Sequence, residues 1–193
     1  MRISLLLALV MGASTVFAQG PQNVVKTNPF GYFASQYQVG FERALTDNFS
    51  VQLSAGLISG SGVTTLSTTD STGNIVATTL SYSRTGFILI PEVRYYPGGN
   101  ACEGFYAALA ARIRHVSTAI DDEPLYDRNV IGGAFLVGFQ VYRSDMLIDF
   151  FVGPQIKNDE TLWYIDDATE DLDLFNSDGR VGVRFGLNIG FGF

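Results

Sequence analysis

The chain has a single cysteine and a single histidine among its 193 residues, and no long apolar run follows its N-terminal segment. A lone cysteine cannot form an internal disulfide, so we interpret Cys102 as a turn residue. A membrane-spanning helix needs about 18 consecutive apolar residues, and that pattern is missing. Basic residues are also scarce, with 12 Lys and Arg against 19 Asp and Glu. A nucleic-acid partner requires a basic surface and is therefore not expected.

The N-terminal segment has the features of a cleaved export signal. Arg2 supplies the positive start, an apolar core follows from Ile3 to Val10, and Val16-Phe17-Ala18 provides a cleavage site before Gln19. A lipoprotein would carry cysteine directly after the cut, where this chain has Gln19. We therefore predict a signal peptide over residues 1–18 and one mature domain over residues 19–193, exported through the periplasm.

Apolar residues alternate with small or polar ones along most of the remaining chain. In the last segment, Val181 to Phe193, every odd position is apolar and every even position is Gly, Arg or Asn. This alternation is typical of a strand that crosses a bilayer at a tilt. The same period predicts seven further strands: near Val24–Phe33 and at Tyr37–Leu45, Phe49–Leu57, Phe87–Tyr96, Phe105–His115, Ile131–Val141 and Met146–Ile156.

The connections between these segments differ in length on the two sides. Short turns are expected at residues 46–48, 97–103 and 143–145. Long polar loops are expected at residues 59–84, 119–129 and 158–179, and in the first of these the Thr and Val content predicts that two strands continue and then turn. The pattern predicts an all-β, eight-stranded, antiparallel up-and-down transmembrane barrel with short periplasmic turns and longer extracellular loops.

The volume of the side chains decides which face points outward. An eight-stranded barrel has an interior just wide enough to be filled by side chains, and the bulky face would overfill it. Phe185, Leu187 and Ile189 should therefore face lipid, while Arg184 and Asn188 point inward. Pro91 and Pro154 lie within predicted strands and lack a backbone donor, so we expect local bulges there.

Several segments carry a resemblance to a known class. The residues concerned are Val25 to Asn28, Val39 to Leu45, Pro91 to Pro97 and the C-terminal strand ending in Phe193. The mature chain resembles small outer-membrane barrels of the OmpA-like and OmpX-like kind, and more closely a family of envelope barrels of unknown function. The resemblance implies an outer-membrane location, contact with its lipid, and assembly by the barrel-assembly machinery through Phe191 and Phe193.

Charged residues on the inward face should form a network that fills and plugs the barrel, because buried charges must pair. A narrow ion path, giving a low-conductance pore, is the alternative. The predicted members are Glu42, Glu92, Arg94, Arg112, Arg114, Asp149 and Arg184, with Lys26 possible.

His115 and Ser117 form the one constellation that suggests catalysis. A His-x-Ser pair on one strand face resembles the catalytic pair of outer-membrane lipid A deacylases, in which an acidic residue orients the histidine. Glu123 is the candidate for that role, although it falls in a predicted loop and the residues after the pair depart from the family pattern. This gives an alternative function, a lipid hydrolase.

The predicted extracellular loops are acidic, as in Asp121-Asp122-Glu123, and the last also carries Trp163, Tyr164 and Phe175. These aromatic residues are candidates for an interfacial belt or a surface for an extracellular partner. No EF-hand spacing is present, so no metal is predicted, and neither is a cofactor. The sequence favours a non-enzymatic barrel with a structural or surface-binding role.

Overall fold

A computed structural model describes residues 21–69, 75–143, 146–163 and 180–193. Eight antiparallel strands form one closed barrel in which each strand pairs with its sequence neighbours and β1 pairs with β8. The strands are β1 (Asn23–Thr27), β2 (Gln36–Ala44), β3 (Phe49–Thr69), β4 (Ile75–Tyr95), β5 (Gly104–Ile120), β6 (Glu123–Arg143), β7 (Met146–Trp163) and β8 (Arg180–Gly192). One short helix, α1 (Pro29–Phe33), follows β1. The predicted all-β, eight-stranded antiparallel barrel is confirmed. Within the described residues, no helix is long and apolar enough to cross a membrane.

The first strand is shorter than the sequence pattern predicted. The prediction extended it to Phe33, whereas β1 ends at Thr27 and α1 begins at Pro29. The Asn28 side chain accepts a hydrogen bond from the Gly31 amide, which is the bond that an N-cap makes. Proline at the first helical position favours the same start. The prediction was wrong here because these two capping signals outweigh the apolar character of residues 30–33.

Several strands extend further than predicted at the end of the barrel opposite the start of β1 and the end of β8. β3 and β4 stay paired up to the Thr69–Ile75 pair, which confirms that both strands extend and leaves residues 70–74 outside the described part. The predicted loop at residues 119–129 is wrong, because β5 runs to Ile120 and β6 starts at Glu123. Asp121 and Asp122 make the turn with positive φ angles of 48° and 68°. Asp is among the residues that tolerate this conformation best, which is why two residues suffice.

Neither internal proline produces the bulge that we expected. Across Pro91, β4 pairs Leu89 with Ile113 and Glu92 with Ala110. The step is three residues on each of the two antiparallel strands, so the register is unchanged. Across Pro154, Ala134 pairs with Gln155 and Val137 with Val152, again in one register. Both prolines therefore cost ladder hydrogen bonds without shifting the strands. A register shift occurs instead between Thr118 and Ala119.

The two faces of the strands separate as the sequence predicted. Phe185 is 79% exposed and Ile189 also points outward, whereas Asn188 is buried. The interior contains an apolar layer as well as polar groups. Four strands, β4 to β7, contribute Ile88, Ile90, Tyr106, Ala108, Ala110, Leu136 and Phe151, and the turn after β4 contributes Tyr96 and Ala101.

Candidate functional site

A buried polar cluster crosses the barrel near the end where both termini lie, and we call it the lower network. Every strand contributes a side chain to it, so it spans the whole cross-section. The members are Lys26 from β1, Glu42 from β2, Ser50 from β3, Glu92 and Arg94 from β4, Tyr106 from β5, Gln140 from β6, Asp149 from β7 and Asn188 from β8, together with Tyr96 just after β4.

Arg94 is the centre of the lower network. Its Nε lies 2.6 Å from Oε1 of Glu92, and its Nη1 lies 3.0 Å from Oδ2 of Asp149 and 3.4 Å from Oε2 of Glu42. Nη1 also lies 2.9 Å from Oε1 of Gln140. The guanidinium stacks on the Tyr106 ring, with Cζ 4.3 Å from the ring centroid. Planar Arg suits this position because it can bond several acceptors at once.

Lys26 is the second cation of the lower network. Its ammonium group forms ion pairs with Glu42 and with Asp149, the latter at 3.1 Å, and donates to Gln140 Oε1 at 2.8 Å. Neutral groups also donate to two of the carboxylates. Tyr96 donates to Glu42 at 2.7 Å and Tyr106 donates to Asp149 at 2.7 Å. The buried carboxylates are therefore both ion-paired and hydrogen-bonded, as buried charges must be.

The side chains at the centre of the lower network are shielded from solvent. Arg94, Glu42 and Asp149 are at most 1% exposed. Its two cations face three carboxylates, and Arg184 lies near enough to interact electrostatically with two of these, Glu92 and Asp149. The cluster is thus close to neutral overall, which suits the burial of its side chains.

Cys102 lies under this cluster, in the turn between β4 and β5. It has a positive φ of 69°, and its carbonyl accepts a 2.6 Å hydrogen bond from Nε2 of Gln140. The prediction that it is a turn residue is confirmed. Burial, followed by the charge of Glu42, raises the pKa of the thiol well above its ordinary value. It stays protonated at neutral pH and is a poor nucleophile.

The predicted lumen residues fall into two groups. Glu42, Glu92, Arg94 and Asp149 meet in the lower network, which Lys26 completes. Arg112 and Arg114 lie six and eight residues beyond Tyr106 along β5, about 20 Å or more along a strand. Arg184 lies between the groups, with Cζ 5.2 Å from the Phe151 ring centroid. The sequence thus predicted one network where the structure has a neutralised cluster and a separate group of cations.

His115 and Ser117 face outward on β5, near the end away from the termini. Ser117 Oγ lies 3.4 Å from His115 Nε2, and His115 Nδ1 lies 2.8 Å from Asn129 Oδ1. Asn129 stands directly opposite His115 on β6. The partner of the histidine is therefore Asn129 and not Glu123, which begins β6 and is exposed. Glu123 instead lines a surface cleft of about 590 Å³ together with Ser117, Thr85 and Asp127.

The C-terminal aromatic residues and the loop candidates lie elsewhere. Phe191 and Phe193 point outward, and Phe193 exchanges two backbone hydrogen bonds with Asn23 at the β1–β8 seam. Trp163 is the last residue of β7, while Tyr164 and Phe175 lie outside the described residues, as does the predicted signal peptide. Asp121, Asp122 and Glu123 are exposed at the β5–β6 turn.

Sequence reasoning missed the neutral members of the lower network and the partner of His115. Tyr96, Tyr106, Gln140 and Asn188 all bond buried carboxylates or Lys26, yet none of them carries a charge that marks it in the sequence. The available signal was that they lie at the alternate strand positions that point into the barrel. Asn129 could have been found by pairing β5 with β6, which requires knowing that the connection between them has only two residues.

Within the described part of the chain, no group of three or more His, Cys, Asp and Glu side chains could hold a metal ion. The fold and its interior define the class: a closed eight-stranded antiparallel barrel with a polar cross-brace. No protein-family model, curated protein or solved structure matches this chain.

Proposed function

We propose that the mature chain is a non-enzymatic integral barrel of the outer membrane, closed by its lower network. Its role is structural or surface-binding, with outer-membrane lipid around the wall and an extracellular partner at the acidic loop end. The observation that carries the proposal is the sorting of side chains. Bulky apolar groups cover the outside, while a paired charge network spans the inside. A barrel in water has no reason to expose so wide an apolar surface.

Three further features support this proposal. The N-terminal segment has the positive start and apolar core of an export signal, Phe191 and Phe193 carry the alternating aromatic pattern of similar barrels, and the acidic β5–β6 turn is exposed. The lower network argues against the low-conductance pore, because eight-stranded barrels have a bore only as wide as their side chains and this bore holds paired charges.

The purified mature chain, folded in detergent, should migrate faster on an unheated gel than after boiling, because a closed barrel resists unfolding by detergent. The same sample should leave a planar bilayer electrically silent, because the lower network closes the lumen. Identical migration before and after boiling, together with recovery in the soluble periplasmic fraction, would overturn the membrane barrel. Steady single-channel currents would overturn the plug and support a pore.

A second function, lipid-ester hydrolysis, is favoured by the Ser117–His115–Asn129 geometry. His115 Nε2 is placed to take the Ser117 Oγ proton while Oγ attacks an ester carbonyl carbon, and Asn129 Oδ1 holds the Nδ1–H tautomer. The proton then passes to the departing alkoxide as the ester C–O bond breaks, and water releases the acyl group from Ser117 by the reverse sequence. The outward position of the pair suits an acyl chain approaching from a bilayer.

If the chain is a hydrolase, the folded protein should release fatty acid from phospholipid or lipid A in mixed micelles. Ser117→Ala should then lower the rate by a factor on the order of 10³ or more, since the nucleophile is lost. Thr85→Ala is the matched control, because Thr85 lines the same cleft without contacting His115 in any described hydrogen bond. Equal rates for wild type, Ser117→Ala and a protein-free blank would remove this function and leave the first proposal standing.

A further inference from the structure

A second group of charges lies inside the barrel beyond the lower network, and we call it the upper cation cluster. It consists of Arg84 from β4, Arg112 and Arg114 from β5, Arg128 from β6 and Lys157 from β7. Register places them close together. Gly132 stands between Arg112 and Lys157 at one level of the wall, and Val130 stands between Arg114 and Asp159 at the next. Arg112, Gly132, Lys157 and Arg184 line one small cleft.

The upper cation cluster is not neutralised by the described residues around it. Asp159 is the acidic side chain that faces it, and this carboxylate forms an ion pair with Arg128. Among the described residues, five cations against one carboxylate leave an excess of four positive charges. These charges repel one another: Arg112 interacts with Arg114, and Arg114 interacts with Arg84 and Arg128. The lower network, a few residues away in the same bore, differs in that its cations are paired. Each of them contacts at least two acceptors.

The cluster also presents hydrogen-bond donors without acceptors. The Nε atoms of Arg84, Arg112, Arg114 and Arg128 are buried and have no partner among the described residues. A buried donor without an acceptor costs about 1–3 kcal/mol, and more when the group is charged. Four such donors lie on three adjacent strands, where Oδ1 of Asp159 is also without a partner, and an occupant rich in acceptor oxygens would satisfy the donors.

We propose that the upper cation cluster binds a phosphate group inside the mouth of the barrel. Arginine forks match the oxygens of phosphate in geometry, and a dianion offsets more of the excess charge than a single carboxylate does. The lower network closes the bore beneath, so the ligand enters from the end away from the termini. The proposal concerns the barrel interior and goes beyond the proposed function, since it holds whatever surrounds the outer wall.

The test is calorimetric titration of the full mature chain, folded in detergent, with inorganic phosphate at low ionic strength. Wild type should bind saturably at one site. The double variant Arg112→Gln/Lys157→Gln should bind at least about tenfold more weakly, since two charges facing the same cleft are lost. Arg143→Gln is the matched control because Arg143 is exposed at the far end of β6, and it should bind like wild type. The heat-shift gel verifies that each variant is folded.

A second arm identifies the source of the phosphate. Phosphatidic acid in the same micelles is titrated against protein with and without saturating inorganic phosphate. Competition that disappears in the double variant assigns the site to a lipid headgroup, whereas binding of free phosphate alone assigns it to a soluble ion. The proposal is overturned if wild type binds neither probe saturably, or if wild type and the folded double variant bind both equally well.

Discussion

Replacing Arg94 with methionine is expected to lower the free energy of unfolding by about 3–5 kcal/mol, the cost of breaking a buried ion pair by removing one partner. Methionine keeps much of the side-chain volume, so the change removes mainly charge and hydrogen bonds. Glu42, Glu92 and Asp149 would then face Lys26 as the one cation left in the lower network. Urea unfolding of the protein in phospholipid vesicles, followed by tryptophan fluorescence, measures the change.

The control for this prediction is Arg143→Met, an exposed arginine at the end of β6, which should change stability by no more than about 0.5 kcal/mol. Adding Asp149→Asn to Arg94→Met should recover part of the loss, because one of the three carboxylates is neutralised. Strict additivity of the two single changes would show that Arg94 and Asp149 are not energetically coupled. A loss equal to that of Arg143→Met would show that Arg94 does not stabilise the barrel.

Introducing arginine at Leu109 should destabilise the folded protein in a bilayer by about 2–4 kcal/mol, the cost of a cation on the lipid face at mid-depth. Leu109 lies on the outward face of β5, five residues after its start at Gly104 and about halfway along the roughly ten residues that cross a bilayer. Its neighbours on the adjacent strands are Val93 and Phe135. If the wall faced water, the same change would fall within about 0.5 kcal/mol, as for other surface substitutions. The unfolding assay in vesicles separates these two outcomes.

The matched control is Val63→Arg. Leu109 is 67% exposed and Val63 is 66% exposed, so the two sites differ in height along the barrel rather than in burial. Val63 lies in the part of β3 beyond the roughly ten residues that a strand needs to cross a bilayer. Its substitution should cost less than about 1 kcal/mol. Equal effects at both sites would contradict a membrane around the middle of the wall.

The sequence predicted the parts of this fold that depend on period-two alternation. The inward and outward faces of β8 follow directly from Val181 to Phe193, and seven of the eight strands lie where alternation placed them. Strand limits were less predictable. The acidic residues after Ile120 suggested a loop, whereas a two-residue turn lets β5 and β6 pair almost to their ends. Polar composition indicates solvent exposure, but the ends of long barrel strands are exposed as well. It therefore does not distinguish a loop from a strand there.

The contacts inside the barrel were only partly predictable. Alternation places Arg94 and Asp149 inside, but which inward charges meet depends on how far each strand is shifted relative to its neighbours. That shift brings Lys26 to Asp149 across 123 residues of sequence and leaves Arg112 and Arg114 far above both. Formal charge alone could not separate the paired group from the unpaired one. Asn129 likewise could be matched to His115 only once the connection between β5 and β6 is known to have two residues.

The seam between β1 and β8 is short, with four residue pairs in the ladder and the hydrogen-bonded Asn23–Phe193 pair beside them. Lys26 on β1 is tied to Asp149 on β7, and Asn188 on β8 donates to the same carboxylate at 3.0 Å, so these side chains fasten the join from within. Parting the seam would strand a lysine and a carboxylate at the same moment that the backbone pairs are lost. Closure of the barrel and neutralisation of these charges therefore occur together. A sheet open at this seam loses the backbone pairs and also leaves buried charges unpaired.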